Sequence, residues 1–189
     1  MNIGLSQRIL HYKNRAYDCL EHGWFNLLSD HTLFSIPNNT KLNFAPIVKD
    51  LDLVIFTGGD ASLERTVCET RLLTECYKQR TAALGVCHGA FFINQLEQGE
   101  NNDIENHSDV EHTVTLSGEV HTVNSYHNIQ IKQLGADLTP IAYSSDGSIE
   151  GFKHLTRAVW GLVWHPERMK EPVLPDDLRR FLNERNDKC

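Results

Sequence analysis

Three short stretches of this chain carry residue types that could do covalent chemistry, and Cys87 is the first. Gly85, Cys87 and Gly89 form the pattern G-x-C-x-G within Thr81–Phe92. The first half of that stretch is a short apolar run, the mark of a buried strand. Ala90-Phe91-Phe92-Ile93 then opens a helical pattern. A strand that turns sharply at a reactive residue and leaves as a helix is a nucleophile elbow, here with sulfur in place of oxygen. The flanking glycines let the two backbones pass closely. Unpaired N–H groups at a helix N-terminus favour a thiolate, and the His88 amide would face an oxyanion. With 12 Gly and 5 Cys in 189 residues, the pattern arises by chance in about 0.02 of chains of this composition.

A thiol nucleophile needs a base, and the base needs an orienter. His165-Pro166-Glu167 supplies both. Pro166 disfavours helix at His165, so an extended segment is expected, with residues i and i+2 on one side. Glu167 can then hold one ring nitrogen of His165 and leave the other facing Cys87. Gly58-Gly59 ends the apolar run Leu51–Phe56. A turn there can aim its amides outward, as the second half of an oxyanion hole shared with His88.

The histidines His107, His112, His121 and His127 raise the question of a metal. Their spacings match no helical pair and no cysteine sits near them, although His112 and His121 could meet across a hairpin. They read as polar surface histidines, so no metal and no cofactor is expected. Cysteines 19, 68, 76, 87 and 189 are odd in number and lack C-x-x-C spacing, which argues against a disulfide framework or a zinc ribbon. The net charge of −7 disfavours nucleic acid and anionic membranes as partners. Neither an apolar leader nor a membrane-length apolar run is present, so a cytoplasmic protein is expected.

The elements that must position these residues can be read in outline. Strands are expected at 2–5, 33–36 and 51–56, an amphipathic helix over 13–28, and a long helix over 62–80. Leu63, Val67, Leu72, Leu73 and Cys76 are the candidates for the buried side of that long helix. Residues 98–109 read as a polar surface loop. A β-hairpin turns at Ser117-Gly118 between His112–Leu116 and Glu119–Val123, and further strands follow at 140–143, 149–152 and 158–163. A short helix over 176–185 closes the chain. Early alternation of strands and helices, with antiparallel strands added later, gives one α/β domain over 1–189.

The ordered set around Cys87, Gly58-Gly59 and His165-Pro166-Glu167 resembles class I glutamine amidotransferases and the related γ-glutamyl hydrolases. The resemblance implies a doubly wound, flavodoxin-like three-layer α/β sandwich with an antiparallel hairpin insertion. It also implies attack of Cys87 on a γ-glutamyl carbonyl, and a thioester that water hydrolyses. Asn124-Ser125-Tyr126-His127 and Asp146-Gly147-Ser148-Ile149-Glu150 are similar to segments that line the substrate cleft in the γ-glutamyl hydrolase branch. Ile3–Arg8, the segment holding Arg15, Asp18 and Trp24, and Glu105-Asn106-His107 look like γ-glutamyl-CDP-amidate hydrolases, which act in phosphoramidate decoration of bacterial capsules. Two positions depart from the pattern. Phe91 stands where amidotransferases usually carry Gln, and Ile129 stands where the Asn-Ser-x-His segment usually has one.

These features lead to a free-standing hydrolase of a small γ-glutamyl substrate, which binds through Asn124, Ser125, Tyr126 and His127. The alternative is a glutaminase subunit that feeds ammonia to a synthase, and a homodimer is also open. Arg8, Lys13 and Arg15 concentrate positive charge where open α/β sheets bind ligands. Arg8 and Arg15 are therefore expected to grip a phosphate on the leaving group.

Overall fold

The computed structural model describes residues 1–105 and 107–184. Among the positions named above, Asn106, Arg185 and Cys189 lie outside the described residues. The chain opens with β1 (Asn2–Ser6), a hairpin of β2 (Arg8–Tyr12) and β3 (Arg15–Cys19), and the short helix α1 (His22–Leu27). Next come β4 (Thr32–Ile36), α2 (Ala45–Lys49), β5 (Leu53–Phe56), α3 (Leu63–Gln79), β6 (Ala82–Val86) and α4 (His88–Leu96). The second half is rich in strands: β7 (Glu100–Asp103), β8 (Ser108–Leu116), β9 (Glu119–Tyr126) and β10 (Ile129–Gln133). It continues through β11 (Leu138–Ser144), β12 (Ile149–His154) and β13 (Val159–Leu162) to a 3-10 turn at Pro166–Arg168 and α5 (Asp176–Glu184).

The main sheet runs β4-β1-β5-β6-β13-β12-β11-β8-β9, with β10 and β7 joined through β12. From β4 to β13 every pairing is parallel, and beyond β13 every pairing is antiparallel. This is the expected α/β fold, a parallel core with an antiparallel extension. Every residue of β5, β6 and β13 is buried, which is why those strands read as unbroken apolar runs. Helix α4 lies against β5, β6 and β13, while α3 packs on β6 and α2. Parallel pairing has a direct consequence for the site. The carboxyl ends of β5, β6 and β13 fall on one edge, and from them emerge Gly58-Gly59, Cys87 and His165, where open α/β sheets bind ligands.

Several elements differ from expectation. Residues 13–28 are not one helix: Lys13 and Asn14 both take left-handed φ, 48° and 60°. That makes a two-residue hairpin turn, with Tyr12 opposite Arg15 and Arg8 opposite Cys19. Helix is confined to His22–Leu27, and Tyr17 is exposed. On α3, Leu63 and Val67 face solvent, and the buried stripe begins instead with Arg65, Cys68 and Glu69. The apolar periodicity fails there because a charged pair occupies the inward positions. Part of the expected 98–109 loop is β7, which pairs with β10. The hairpin is longer than read, and its register puts His112 opposite Val123 and His121 opposite Val114, so the two histidines do not meet. Glu167 stands in the 3-10 turn rather than on an extended segment.

Candidate active site

Cys87 joins β6 to α4 with φ 50° and ψ −106°. A left-handed φ at a residue with a Cβ costs about 1–3 kcal/mol and persists only where its surroundings enforce it. Two features enforce it here. The Cys87 amide donates to the Leu162 carbonyl at 2.8 Å, which ties the turn to β13. A Cβ on Gly89 would fall 2.0 Å from the Phe56 carbonyl oxygen, so only glycine lets α4 lie this close to β5.

His165 and Glu167 are both buried, and His165 Nδ1 lies 2.6 Å from Glu167 Oε1. Burial alone pushes the His165 pKa down. Hydrogen bonding to Cys87 and to Glu167 reverses this and lifts it to about 9. The backbone of His165 is held on both sides by one side chain. Its N–H donates to Asn124 Oδ1 at 2.8 Å, and its carbonyl accepts from Asn124 Nδ2 at 2.9 Å. Asn124, expected to bind substrate, is engaged in holding the backbone of His165. Ser125 is fully buried, and its hydroxyl donates to the His107 carbonyl rather than facing a cleft.

The loop after β5 is organised by a buried ion pair on α3. Arg65 donates to the carbonyl oxygens of Thr57, Gly58 and Asp60, and its Nε lies 3.0 Å from Glu69 Oε1. In a trans peptide the N–H points opposite to the C=O. With their carbonyls turned to Arg65, the Thr57–Gly58 and Gly58–Gly59 peptides direct the amides of Gly58 and Gly59 away from it. Glu69 also binds His88 Nε2 at 2.8 Å and accepts from Ser6 Oγ at 2.7 Å. Burial opposes the Glu69 charge, yet His88, Arg65 and Ser6 together keep its pKa below the ordinary value. One carboxylate thus ties the Gly58-Gly59 loop to the first residue of α4.

A cavity of about 460 Å3 opens beside Cys87 and His165, within the range of small-molecule sites. Tyr126, His127, Phe91, Ile129, Asn128 and Arg168 help to line it. The two departures from the amidotransferase pattern, Phe91 and Ile129, therefore both sit in the wall. The Phe91 ring stands 6.0 Å from that of His127. Arg168 lies 4.7 Å over the Tyr126 ring and donates to Glu21 at 2.9 and 3.1 Å. No spacing signal pointed to Arg168, which follows Glu167 directly in the 3-10 turn. Arg8 pairs with the same Glu21 at 3.8 Å, and its stem packs over Gly59. Arg15 is exposed on the β2–β3 hairpin and does not line the cavity, a correction to its expected role. Asp146 and Glu150 do not line it either. Glu150 is buried beneath it among His107, His112 and His127, of which His107 and His127 are buried rather than surface residues.

The family model for peptidase C26 matches residues 103–167, from the cavity rim through His165 to Glu167. The γ-glutamyl-CDP-amidate hydrolase of Campylobacter jejuni is 29% identical over 184 residues, which cover 89% of this chain and 90% of that protein. The glutamine-hydrolysing GMP synthase subunit of Picrophilus torridus is 27% identical over 70% of this chain and 74% of its own. Among solved structures, a Thermoplasma acidophilum protein provisionally described as a GMP synthase subunit shares the fold. Its TM-score is 0.76 at 19% identity, over 99% of this chain and 94% of that one.

Proposed function

We propose that this chain is a cysteine-dependent hydrolase of γ-glutamyl amides of the class I glutamine amidotransferase-like superfamily, a reading supported by the peptidase C26 match over residues 103–167 and by the similarity to the Campylobacter jejuni hydrolase. One observation carries this reading. Cys87 is held at a strained elbow in the wall of a small-molecule cavity, with the His165–Glu167 pair beside it.

Cys87 Sγ, its proton held by His165, attacks the γ-carbonyl carbon as a thiolate. Negative charge develops on the carbonyl oxygen, where the amides of His88 and the Gly58-Gly59 loop stabilise it. The tetrahedral intermediate collapses, the C–N bond breaks, and His165 returns the proton to the departing nitrogen. Water, deprotonated by His165, then attacks the thioester, and glutamate leaves as the thiolate of Cys87 and protonated His165 are restored. Glu167 fixes the His165 ring and supports its charge when it is protonated.

The leaving group we propose carries a phosphate, as in a γ-glutamyl nucleotide amidate used in building a phosphoramidate-decorated bacterial surface polysaccharide. Similarity to the Campylobacter jejuni hydrolase over nearly the whole chain supports this. So does the pairing of two guanidiniums, Arg8 and Arg168, with one carboxylate, Glu21, which leaves one guanidinium charge unmatched within that group. Arg168 lines the cavity and is suited to grip phosphate with parallel N–H bonds. A second reading, a glutaminase that supplies ammonia to a synthase partner, draws on the similarity to the glutamine-hydrolysing component of GMP synthase. Phe91 and Ile129 count against it, because apolar groups stand in the wall where that pattern has glutamines.

The test is a panel of γ-glutamyl compounds, including glutamine and a γ-glutamyl nucleotide amidate, offered to the isolated protein with released glutamate measured. Turnover of the amidate well above glutamine supports the hydrolase. Turnover of glutamine alone, and only when a synthase is added, would replace it with the second reading.

A further inference from the structure

Behind the cavity wall a second cluster of chemistry-bearing side chains converges, distinct from Cys87, His165 and Glu167. Glu150 lies at the start of β12 after Ile149, His112 lies within β8, His107 just precedes β8, His127 just follows β9, and Asp146 sits in the β11–β12 turn. Glu150, His107 and His127 are 1%, 6% and 4% exposed. His107, His127 and Glu150 each place a ligand atom within 4.8 Å of the others.

The contacts do not close as hydrogen bonds. His107 Nδ1 lies 3.7 Å from Glu150 Oε1, while His112 Nε2 and His127 Nε2 lie 3.5 and 3.7 Å from Glu150 Oε2. N–H···O bonds span about 2.7–3.2 Å. Among the described residues, His107 Nδ1, His112 Nε2, His127 Nε2 and Glu150 Oε2 are buried without a hydrogen-bond partner. Leaving such groups unsatisfied is costly.

The outer contacts fix which nitrogens are bare. His127 Nδ1 lies 2.8 Å from the Ile129 carbonyl oxygen, which can only accept, so Nδ1 carries the hydrogen and Nε2 the lone pair in a neutral ring. His107 Nε2 lies 2.9 Å from Asp146 Oδ2, so its Nδ1 is the bare nitrogen. Both lone pairs face oxygens of Glu150, acceptor against acceptor, an arrangement that a bound cation between them would satisfy. Zn–N bonds of about 2.0–2.1 Å set tetrahedral ligand atoms about 3.3–3.4 Å apart. The 3.5–3.7 Å from the ring nitrogens to the Glu150 oxygens is close to that spacing and longer than an N–H···O bond. A metal-binding histidine whose second nitrogen donates to a carboxylate or a carbonyl is the usual outer-shell arrangement, seen here at Asp146 and Ile129.

We propose that His107 Nδ1, His127 Nε2 and Glu150 form a site for one divalent transition-metal ion of the zinc class, with His112 Nε2 facing the same carboxylate. Imidazole ligands select such ions over Mg2+ or Ca2+. Three protein ligands leave one tetrahedral position, which water or the neighbouring His112 would fill. The site clamps the open end of the β8–β9 hairpin to β12. His127 backs Phe91, so the metal fixes the cavity wall formed by Tyr126, His127 and Asn128.

The test uses Cys87→Ala protein, whose active-site thiol cannot compete for metal. The protein is loaded with Zn2+, desalted and assayed for metal content. Its melting temperature is followed with Zn2+ and with a chelator, and Co2+ replaces zinc for visible absorption. One Zn2+ per chain is expected, with a melting temperature raised by Zn2+ and lowered by chelator, and the intense bands of tetrahedral Co2+. His107→Gln and Glu150→Gln should lose all three responses, and His121→Gln should keep them. Absence of retained metal together with a melting temperature indifferent to Zn2+ and chelator would overturn the site in favour of a proton-holding cluster. Weak octahedral Co2+ bands, or stoichiometry lost in His121→Gln and kept in Glu150→Gln, would also overturn it. The Co2+ spectrum needs no cluster variant, so the outcome stands even if those variants fail to fold.

Discussion

At Cys87 a reactive group and an enforced backbone conformation coincide. Alanine there keeps the Cβ and the turn but removes the sulfur. Cys87→Ala should therefore leave circular dichroism and melting temperature nearly unchanged while γ-glutamyl turnover falls by about 10⁴-fold or more. Retained turnover would contradict its role. His165 makes a second expectation, this one on stability. Its folded pKa of about 9 exceeds the ordinary 6.5, so the folded protein holds the proton more tightly than the unfolded chain. The resulting stabilisation is complete below pH 6.5 and is lost as pH rises through 9. Melting temperature should fall across that window in the wild type. The fall should be smaller in Glu167→Gln, since the carboxylate is one of the groups that raise the pKa. A wild-type melting temperature with no downward trend there would show that the pair is not coupled as described.

At the scale of elements, the carboxyl ends of three parallel strands assemble the site, and the buried Arg65–Glu69 pair sets the loop between them. A Cβ on Gly58 would lie 2.4 Å from His165 Cε1. Gly58→Ala should displace the ring and cost about 10²-fold in kcat/KM, as steady-state kinetics would report. Arg65→Met leaves Glu69 buried without its cation, so denaturant unfolding should register a loss of about 3–5 kcal/mol. The central strands and the elbow were legible because β5, β6 and β13 are apolar throughout and the glycines around Cys87 mark the turn. The residues forming β3 misled because their spacing with Leu20 and Trp24 also fits a helix, whereas the left-handed Lys13-Asn14 turn folds them back on β2 as a strand. Arg65 and Glu69 were invisible because a periodicity reading assigns charges to the surface. The histidine cluster was hidden for another reason. Its members lie far apart in sequence and meet only through the β8–β9 and β11–β12 pairings.

For the whole molecule, substrate choice depends on how the cavity wall is built from both halves of the chain. The Cys87 elbow comes from the parallel core, while Tyr126, His127 and Ile129 come from the antiparallel extension. Arg168 faces this cavity and Arg15 does not. Arg168→Ala should therefore shrink the ratio of kcat/KM for a γ-glutamyl nucleotide amidate over glutamine, and Arg15→Ala should leave it unchanged. A ratio moved by Arg15 instead would return the phosphate grip to the hairpin.

The claim on which the rest depends is a covalent glutamyl thioester at Cys87. Rapid quenching in acid during turnover of a γ-glutamyl amide, followed by intact-protein and peptide mass spectrometry, reads it directly. The expected result is a glutamyl adduct on the Cys87 peptide that appears before free glutamate, decays as substrate is exhausted, and is absent from Cys87→Ala. Glutamate release with no adduct at any quench time, and at an undiminished rate in Cys87→Ala, would contradict it.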